Sequence, residues 1–287
     1  MADPAASVSS SARSSLTSKR IVITRAVAQS SELLEKLAQR RAIPIRLPLV
    51  SFSPPQDYAA LDTALRNWRA FDWVLFTSAN AVQSVVARAA ALSITLGRAD
   101  HRPSIAAVGP ATKQEATKAN VTVDHVAHTH LGVALANELA SKLRNKNVFL
   151  PRSDRANPDL PAALKKFGAK LTEVIAYRTL PPSNVCRDRV TRVMQQEADA
   201  AVFFSPSAVH NLADLIGKQA LNELQSRMAI AAVGPVTSAA LREYGIQRIV
   251  MAADTTTNAV IDALESHFAA QSASVPTHQP APGAHRG

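Results

Sequence analysis

The sequence predicts an α/β protein in which parallel sheets are covered by helices on both faces. Short apolar runs of strand length alternate with helical patterns along the chain, which is typical of such sheets. The run Val174–Leu180 stops at Pro181-Pro182, and an earlier run, Arg46–Val50, is followed by a similar breaker, Ser51–Pro55. Two matching strand ends with matching breakers indicate two crossings between two similar lobes.

Sequence blocks that recur in the same order are the second observation behind this fold class. Phe71–Val82 matches Ala198–Val209 at an offset of 127 residues. The hexapeptide Ile105–Pro110 recurs identically as Ile230–Pro235, at an offset of 125 residues. Matched blocks in one order predict an internal duplication, in which each copy carries strands that alternate with helices.

The first predicted unit begins with a buried-type strand at Arg20–Arg25. A helix with Leu33, Leu34 and Leu37 on one face follows, and Ser30 or Ser31 is expected to cap it. A strand at residues 43–49 completes the unit.

The matching unit begins with a strand at Asn147–Arg152, where Val148 corresponds to Ile21. Asn157-Pro158 predicts the start of a helix and Gly168 its end, before the strand that carries Tyr177. Residues 1–18 and 270–287 are predicted to be disordered tails, because they lack the apolar content to pack. The Ser-rich leader is also compatible with a transit peptide.

Composition limits the functional classes. The chain has 287 residues, a net charge of +10 and an aromatic content of 5%. A basic surface attracts polyanions such as nucleic acid, anionic lipid or a polycarboxylate, and few aromatic residues argue against stacking on single strands. We expect no membrane span, since no apolar run reaches about 18 residues. The single Cys186 fits a reducing compartment, so we expect a cytoplasmic protein.

Polar residues follow nearly every predicted strand. In open α/β sheets, ligands bind beyond the carboxyl ends of the strands, at helix N-termini, and hydroxyls, amides and arginines there suit carboxylate or phosphate oxygens. For any one of these residues, capping of the next helix is the simpler role, but their repetition favours an anion-binding site. The residues are Thr24, Arg25, Thr77, Ser78, Asn80, Gly109, Pro110, Thr112, Arg152, Ser153, Arg155, Ser205, Ser207, Gly234, Pro235, Thr237 and Thr255–Thr257.

Several other motifs are absent or have two interpretations. The chain lacks the glycine-rich nucleotide fingerprints and the G-x-S-x-G elbow. His125, His128 and His130 could bind a metal, but we interpret them as a solvated loop. Cys186 is interpreted as a surface or packing residue. Tyr177 either packs its ring at a strand end or faces a cleft at the crossing between lobes.

The chain resembles the uroporphyrinogen-III synthase family over about residues 20–268. The resemblance rests on motifs that occur in the family's order: Ile23–Arg25, Phe76–Val82, Ala107–Thr112, Ile175–Thr179, Phe204–Ser207, Ala232–Ser238 and Thr256–Ala259. It implies two Rossmann-like or flavodoxin-like lobes joined by a two-stranded linker. The discontinuous lobe is expected at residues 19–50 and 178–269, and the other lobe at residues 51–177.

The resemblance also implies the reaction, which is cyclisation of hydroxymethylbilane with inversion of the last pyrrole ring and loss of water. No cofactor and no metal are expected. Tyr177 is the expected catalytic residue, and Ser205 and Thr237 are expected to line the site with the other strand-end residues. Val236 departs from relatives that have a second threonine, so no role is transferred to it.

The implied partner is the anionic bilane, and transient contact with the enzyme that makes it is a further expectation. A monomer is expected, with no nucleic acid or membrane partner. The alternative function is a non-catalytic two-lobed sensor of a small anion, which would bind without turnover.

Overall fold

The computed structural model of the chain has the predicted α/β class, with two sheets that are largely parallel. It describes residues 14–26, 30–96, 102–129, 131–182 and 185–273. The chain divides into a first unit, Met1–Leu47 with Cys186–Gly287, and a second unit, Pro48–Val185.

The secondary-structure elements alternate along the chain as expected for α/β units. The strands are β1 (Arg20–Ile23), β2 (Ile43–Arg46), β3 (Ser51–Ser53), β4 (Trp73–Phe76), β5 (Ser104–Ala107), β6 (His125–Val126), β7 (Asn147–Ser153), β8 (Lys170–Leu180), β9 (Ala200–Phe203), β10 (Ala229–Ala232) and β11 (Ile249–Met251). The helices are α1 (Ser31–Gln39), α2 (Ala59–Arg66), α3 (Ala79–Ala91), α4 (Pro110–Lys118), α5 (Gly132–Glu138), α6 (Ala140–Leu143), α7 (Asp159–Lys166), α8 (Arg187–Arg192), α9 (Pro206–Ile216), α10 (Lys218–Glu223), α11 (Pro235–Glu243) and α12 (Thr257–Ala273).

The first unit contains a parallel sheet in the order β11-β10-β9-β1-β2. All residues of β9 and β10 are buried, because helices cover both faces of a parallel sheet. One core lies under α1 and α12, where Leu33, Leu37, Ile261 and Leu264 pack against Ile21 of β1. Leu33, Leu34 and Leu37 share the buried face of α1, as predicted.

The second unit contains a sheet in the order β3-β8-β7-β4-β5-β6. All neighbours are parallel except β3 and β8, which pair antiparallel. Consecutive strand residues face opposite sides of this sheet: Phe76 and Phe149 lie in one core, and Leu75 and Leu150 lie in the other. Helices therefore cover both faces, which explains the apolar sequence of these strands.

The predicted tails are too long at both ends. Leu16 is fully buried in the core under α1 and α12, and the hydroxyls of Ser14 and Ser15 donate to the Glu265 side chain and main chain, both at 2.8 Å. Leu16 is a single apolar residue between small polar ones, so the sequence shows no periodic apolar pattern that would predict its burial. At the other end, α12 continues to Ala273. The rest of the predicted tails, residues 1–13 and 274–287, lies outside the described residues.

The structure differs from the sequence predictions at the start of α1, at the end of β2 and at the boundary between the lobes. The Ser30 hydroxyl precedes α1 but donates to the carbonyl of Ala26 at 2.9 Å, so it does not cap the helix amides. The expected strand at residues 43–49 ends at Arg46. The predicted lobe boundary between residues 177 and 178 falls inside β8, because β8 continues to Leu180 while it pairs with β3.

The expected end of α7 is confirmed, whereas the helix begins at Asp159, one residue later than the expected start at Pro158. Asn157 accepts the main-chain N–H of Asp159 through its Oδ1 at 2.7 Å, and Pro158 directly precedes the helix. Gly168 follows the helix with a φ of +79°, the left-handed conformation that glycine adopts most readily. Among the described helices, none has both the length and the apolar composition that crossing a membrane requires.

The burial of Leu16 leads to a first testable prediction. Leu16→Ala should lower the free energy of unfolding by about 2–5 kcal/mol, because it leaves a cavity in a packed core. The matched control is Met251→Ala, since Met251 is 40% exposed in the same unit and should cost less than about 1 kcal/mol. Chemical denaturation of the full chain measures both values. Equal effects of the two substitutions would contradict the docking of this segment.

Candidate functional site

In the second unit, β7 and β4 lie side by side and their connections run in opposite directions. The chain passes from β4 to β5 and β6 on one side, and from β7 to β8 on the other. A reversal of this kind opens a crevice at the carboxyl ends of the strands, where α/β proteins bind ligands. The residues at this edge are Thr77 and Ser78 after β4, and Ser153 at the end of β7.

Tyr177 reaches this edge because β8 contains an irregularity in its pairing with β7. Arg152 pairs with Ile175, but Ser153 pairs with Tyr177, so Ala176 is an extra residue. Regular alternation would direct Ala176 and Tyr177 to opposite faces of the sheet. Instead both are buried in the same core, which is the effect of a β-bulge.

The hydroxyl of Tyr177 lies at the N-terminus of α3. Its oxygen is 3.0 Å from Ser78 Oγ, and it also has a hydrogen bond with the Asn80 side chain. Phe52 of β3 contacts the tyrosine ring edge-on, with 5.7 Å between centroids. Tyr177 lies inside β8, three residues before its end at Leu180, at the point where the pairing with β7 stops. There its hydroxyl meets Ser78 and Asn80.

Burial raises the pKa of the Tyr177 hydroxyl above its usual range. The hydrogen bonds of Ser78 and Asn80 offset part of this rise, and the nearby carboxylate of Asp154 adds to it. The phenol is therefore a neutral hydrogen-bond donor at neutral pH. A donor of this kind can protonate or bind an oxygen that is developing negative charge.

Ser78 has a second function as the N-cap of α3, because its Oγ accepts the N–H of Ala81 at 3.1 Å. The unpaired amides and the dipole at such a helix start favour an anion. Thr77 and Asn80 are partly exposed beside it. Gly109 lies between the neighbouring strand β5 and α4. Thr112 of α4 is only 4% exposed, so its hydroxyl is largely covered.

Arg152 lies inside the second unit instead of projecting from it. Its side chain is 6% exposed, its Nη1 donates to Glu173 Oε1 at 3.0 Å, and its Nη2 donates to the carbonyl of Asn157. These bonds occupy two of the five guanidinium N–H groups. The structure therefore restricts the contacts that Arg152 could make with a ligand, and its predicted binding role stays a prediction.

In the first unit, β1 and β9 form the corresponding reversal. Thr24 is buried and its hydroxyl donates to the carbonyl of Val202 at 2.7 Å, so it ties the two strand ends together. The Arg25 guanidinium lies 5.2 Å from the centre of the Phe204 ring. Burial lowers the pKa of Arg25, and the carboxylate of Glu32 opposes this change. Arg25 remains a cation at neutral pH.

The other predicted residues of the first unit lie at helix starts. Ser205 caps α9 through its Oγ, which accepts the N–H of Ala208 at 3.4 Å, and Ser207 lies in the first turn. Gly234 precedes α11 with a φ of +86°. Thr237 is only 3% exposed in that helix. Thr256 precedes α12 and its Oγ1 accepts the N–H of Ala259 at 3.3 Å.

Two polar residues of these edges are absent from the sequence-based set. Ser238 is fully buried in α11, and its Oγ has no hydrogen-bond partner among the described residues. Its position next to Thr237 in a strand-end motif was the available signal. Asp154 directly follows β7. The sequence-based set omits it, because an acidic side chain does not suit an anionic ligand.

The histidine residues differ from the predicted solvated loop. His125 lies in β6, and its Nε2 is 2.8 Å from Glu138 Oε2. The expectation is therefore wrong for His125, whereas the side chain of His128 is 85% exposed and its Nδ1 lies 3.1 Å from the same oxygen. His130 lies outside the described residues. Among the side chains that the structure describes, no group of three or more could hold a metal ion.

The fold and the strand-end groups define a class: an α/β protein of two units, each with a largely parallel sheet and with hydroxyl groups at the helix starts that follow its strands. Residues 31–262 match the model of the family described as Uroporphyrinogen-III synthase HemD. The chain belongs to this family. The family assigned from the sequence motifs is thereby confirmed.

Individual relatives agree with the family assignment. The chain is 28% identical to a uroporphyrinogen-III synthase of Synechococcus elongatus, over 87% of this chain and 96% of the relative. It is 25% identical to a uroporphyrinogen-III synthase of Chlorobaculum parvum, over 80% of this chain and 91% of the relative.

Solved structures share the fold. A mutant uroporphyrinogen III synthase of Thermus thermophilus matches with a TM-score of 0.64 and 18% identity, covering 89% of this chain and all of the other. A uroporphyrinogen-III synthetase of Helicobacter pylori matches with a TM-score of 0.56 and 16% identity, covering 87% of this chain and 99% of the other.

The raised pKa of Tyr177 leads to a prediction about stability at alkaline pH. The unfolded chain should release the phenol proton first, near pH ~10, so the free energy of unfolding should fall as pH rises through this value towards the folded-state pKa. Tyr177→Phe should make that fall shallower. Denaturation at intervals between about pH 8 and pH 11 measures the slope.

Tyr244→Phe is the comparison for this experiment. Burial and the charges of Asp214 and Glu243 raise the pKa of Tyr244 as well, so this variant should remove a separate part of the fall. A Tyr177→Phe profile with the wild-type slope would contradict the assignment of the raised pKa to Tyr177.

Proposed function

We propose that this chain cyclises hydroxymethylbilane to uroporphyrinogen III, with inversion of the last pyrrole ring and loss of water. The observation that carries the proposal is the Tyr177 hydroxyl beside Ser78 Oγ at the start of α3, in a chain that belongs to the HemD family. It is then a cyclising lyase of tetrapyrrole biosynthesis. The sensor alternative has no support, since the family and the relatives above are named as synthases.

The anionic substrate matches the groups at the strand ends. Hydroxymethylbilane carries acetate and propionate groups on its pyrroles, and the chain has a net charge of +10. Helix starts, hydroxyls and arginines bind carboxylate oxygens. The proposed substrate-binding residues are Thr24, Arg25, Thr77, Ser78, Asn80, Gly109, Thr112, Arg152, Ser205, Ser207, Gly234, Thr237 and Thr256.

Tyr177 is the proposed catalytic residue. The C–O bond of the terminal hydroxymethyl group breaks, and the departing hydroxyl leaves as water after it gains a proton. The phenol of Tyr177 donates a hydrogen bond or the proton to this oxygen. Two observations support that role. The hydroxyl is neutral and can donate its proton, and it lies at the start of α3, where negative charge on the departing oxygen is stabilised.

Formation of the ring requires positioning more than acid–base strength. An activated pyrrole expels hydroxide readily, whereas inversion needs the substituted carbon of the last ring to attack and form a spiro intermediate. Holding the bilane in the required conformation supplies this part of the rate. The many strand-end groups suit that task better than one strong acid would. The proposed reaction uses no cofactor and no metal.

We also infer that the two units derive from an internal duplication. If β1, β2, β9, β10 and β11 are numbered along the chain, the first sheet has the order 2-1-3-4-5, which is flavodoxin-like. The second sheet has the same order if its strands are numbered with β7 as 1, β8 as 2, β4 as 3, β5 as 4 and β6 as 5. This agreement supports the duplication and the match of Ile21 with Val148.

The two-stranded linker is part of the same proposal. β3 pairs antiparallel with the last residues of β8, Arg178–Leu180, and the chain passes between the units near Leu47 and Val185.

We still expect the protein to be a cytoplasmic monomer that makes transient contact with the enzyme that supplies the bilane. The exposed single cysteine, Cys186, suits a reducing compartment. Light scattering of the purified chain measures its mass in solution.

The proposed role of Tyr177 predicts a specific kinetic effect. Tyr177→Phe should lower kcat by about 10²- to 10⁴-fold, the usual contribution of a general acid, while KM changes little. The melting temperature should change little, since the ring still fills its site. Turnover of freshly made hydroxymethylbilane, followed by oxidation and separation of the type I and type III isomers, measures the effect. A fully active variant would make Tyr177 a packing residue.

The proposed binding residues predict a different effect. Ser205→Ala and Thr237→Ala should mainly raise KM, because groups that bind equally well before and during the reaction do not change kcat. Each effect should be mild, since many groups share the binding. Bilane that is held poorly and released early closes by itself to the type I ring. The same isomer assay should therefore show more type I product, and an unchanged isomer ratio with an unchanged KM would argue against these two positions.

A further inference from the structure

One residue holds the main chain of β8 on both sides of Arg178. Asp154 directly follows β7, and its main-chain N–H donates to the carbonyl of Tyr177 at 3.2 Å. Its carboxylate Oδ1 accepts the main-chain N–H of Thr179 at 2.9 Å. Asp154 therefore binds the carbonyl that precedes Arg178 and the amide that follows it.

Neighbouring side chains fix the carboxylate of Asp154. The Ser153 hydroxyl donates to Asp154 Oδ1 at 3.1 Å, and its oxygen lies 2.8 Å from Thr179 Oγ1. Since a serine hydroxyl has one proton, Thr179 is the donor to Ser153. Arg178 Nε lies 3.7 Å from Asp154 Oδ2, and Thr179 is 6% exposed. The carboxylate is thus held from several directions.

The position of this carboxylate in the sheet gives it structural importance. The regular ladder of β7 and β8 ends at the bulge, where Ser153 pairs with Tyr177. Beyond that point, Asp154 supplies the acceptor that a further strand residue would have supplied. On its other edge, β8 pairs with β3, where Phe52 lies opposite Thr179. The segment that follows Tyr177 is therefore fixed at both edges.

We propose that Asp154 is a positioning residue for Tyr177: it holds the main chain of β8 so that the tyrosine hydroxyl stays at Ser78 and the start of α3. This inference rests on the proposed catalytic role of Tyr177. Asp154 touches the main chain of Tyr177 and not the hydroxyl, so it acts on the reaction through the placement of that group. A displacement of about 1 Å at a reacting group can cost about 100-fold in rate.

The charge of Asp154 acts in the same direction as its hydrogen bonds. After burial, which is the larger cause, the carboxylate contributes to the raised pKa of the Tyr177 hydroxyl. A negative charge nearby disfavours the phenolate, so the proton remains on the phenol. The same side chain thereby places the donor and helps to keep it protonated.

The test is a double-mutant cycle on the full chain. Asp154→Ala should lower kcat by roughly 10- to 100-fold and change KM by less than about threefold. In the Tyr177→Phe background, it should lower kcat by less than about twofold further, because the group through which it acts is gone. Asp159→Ala removes an exposed aspartate from the same unit and is the matched control, with kcat near that of the wild type.

A second variant keeps the test valid if Asp154→Ala does not fold. Asp154→Asn retains an oxygen that can accept the Thr179 N–H, so its kcat should stay within about threefold of the wild type. Its Tyr177 should ionise at a lower pH, which is measured by ultraviolet titration with Tyr177→Phe as the assignment control. A large loss of kcat in Asp154→Asn would overturn the positioning role.

The other outcomes separate this inference from the proposed function. If Tyr177→Phe is impaired and Asp154→Ala costs the same factor in both backgrounds, Asp154 acts independently of Tyr177 and only the positioning role fails. Wild-type activity in Asp154→Ala would also overturn it. If Tyr177→Phe itself is fully active, both the catalytic assignment and the inference that rests on it fail.

Discussion

The parallel pairing of β7 with β8, interrupted by one extra residue, determines where Tyr177 lies. Without the irregularity at Ala176, strand alternation would turn the tyrosine to the other face of the sheet. With it, Ala176 and Tyr177 lie in one core, and the hydroxyl reaches Ser78 at the start of α3. A bulge bends the strand and costs a ladder position. The bonds of Asp154 to the main chain of β8 compensate for that loss.

The same edge combines a neutral phenol with a helix start. Burial keeps the proton on Tyr177, while the amides and dipole of α3 favour negative charge nearby. This arrangement suits a step in which a hydroxyl leaves and needs a proton, and it requires no strongly perturbed acid. The remaining demand of the proposed reaction is conformational, and in that proposal the hydroxyls and helix starts at the other strand ends share the task of holding the bilane.

The two halves of the proposed duplication have comparable strand ends, but they differ at the position of Tyr177. Ser78 and Ser205 each cap the helix that follows a central strand, and they correspond at the offset of 127 residues. The residue that corresponds to Tyr177 at that offset is Val50, which is buried and has no donor in its side chain. The proposed duplication thus leaves a phenol in one copy alone, and the proposed catalytic step belongs to the second unit.

The sequence by itself determined the α/β class, the family and most of the strand ends. Fully buried parallel strands must be apolar along their whole length, and the polar residues that follow them mark the carboxyl ends of the strands, so local composition carries this information. The buried face of α1 and the glycine at the end of α7 were likewise predictable from spacing and backbone conformation.

Tertiary structure alone decided which of these residues meet. The contact of Tyr177 with Ser78 joins residues 99 positions apart, and it depends on a bulge that leaves no local sequence signal. The burial of Leu16, the ion pair of Arg152 with Glu173 and the bonds of Asp154 to β8 also join separate parts of the chain. Their formation depends on which strands become neighbours, and that choice comes from packing the whole unit instead of from any local pattern.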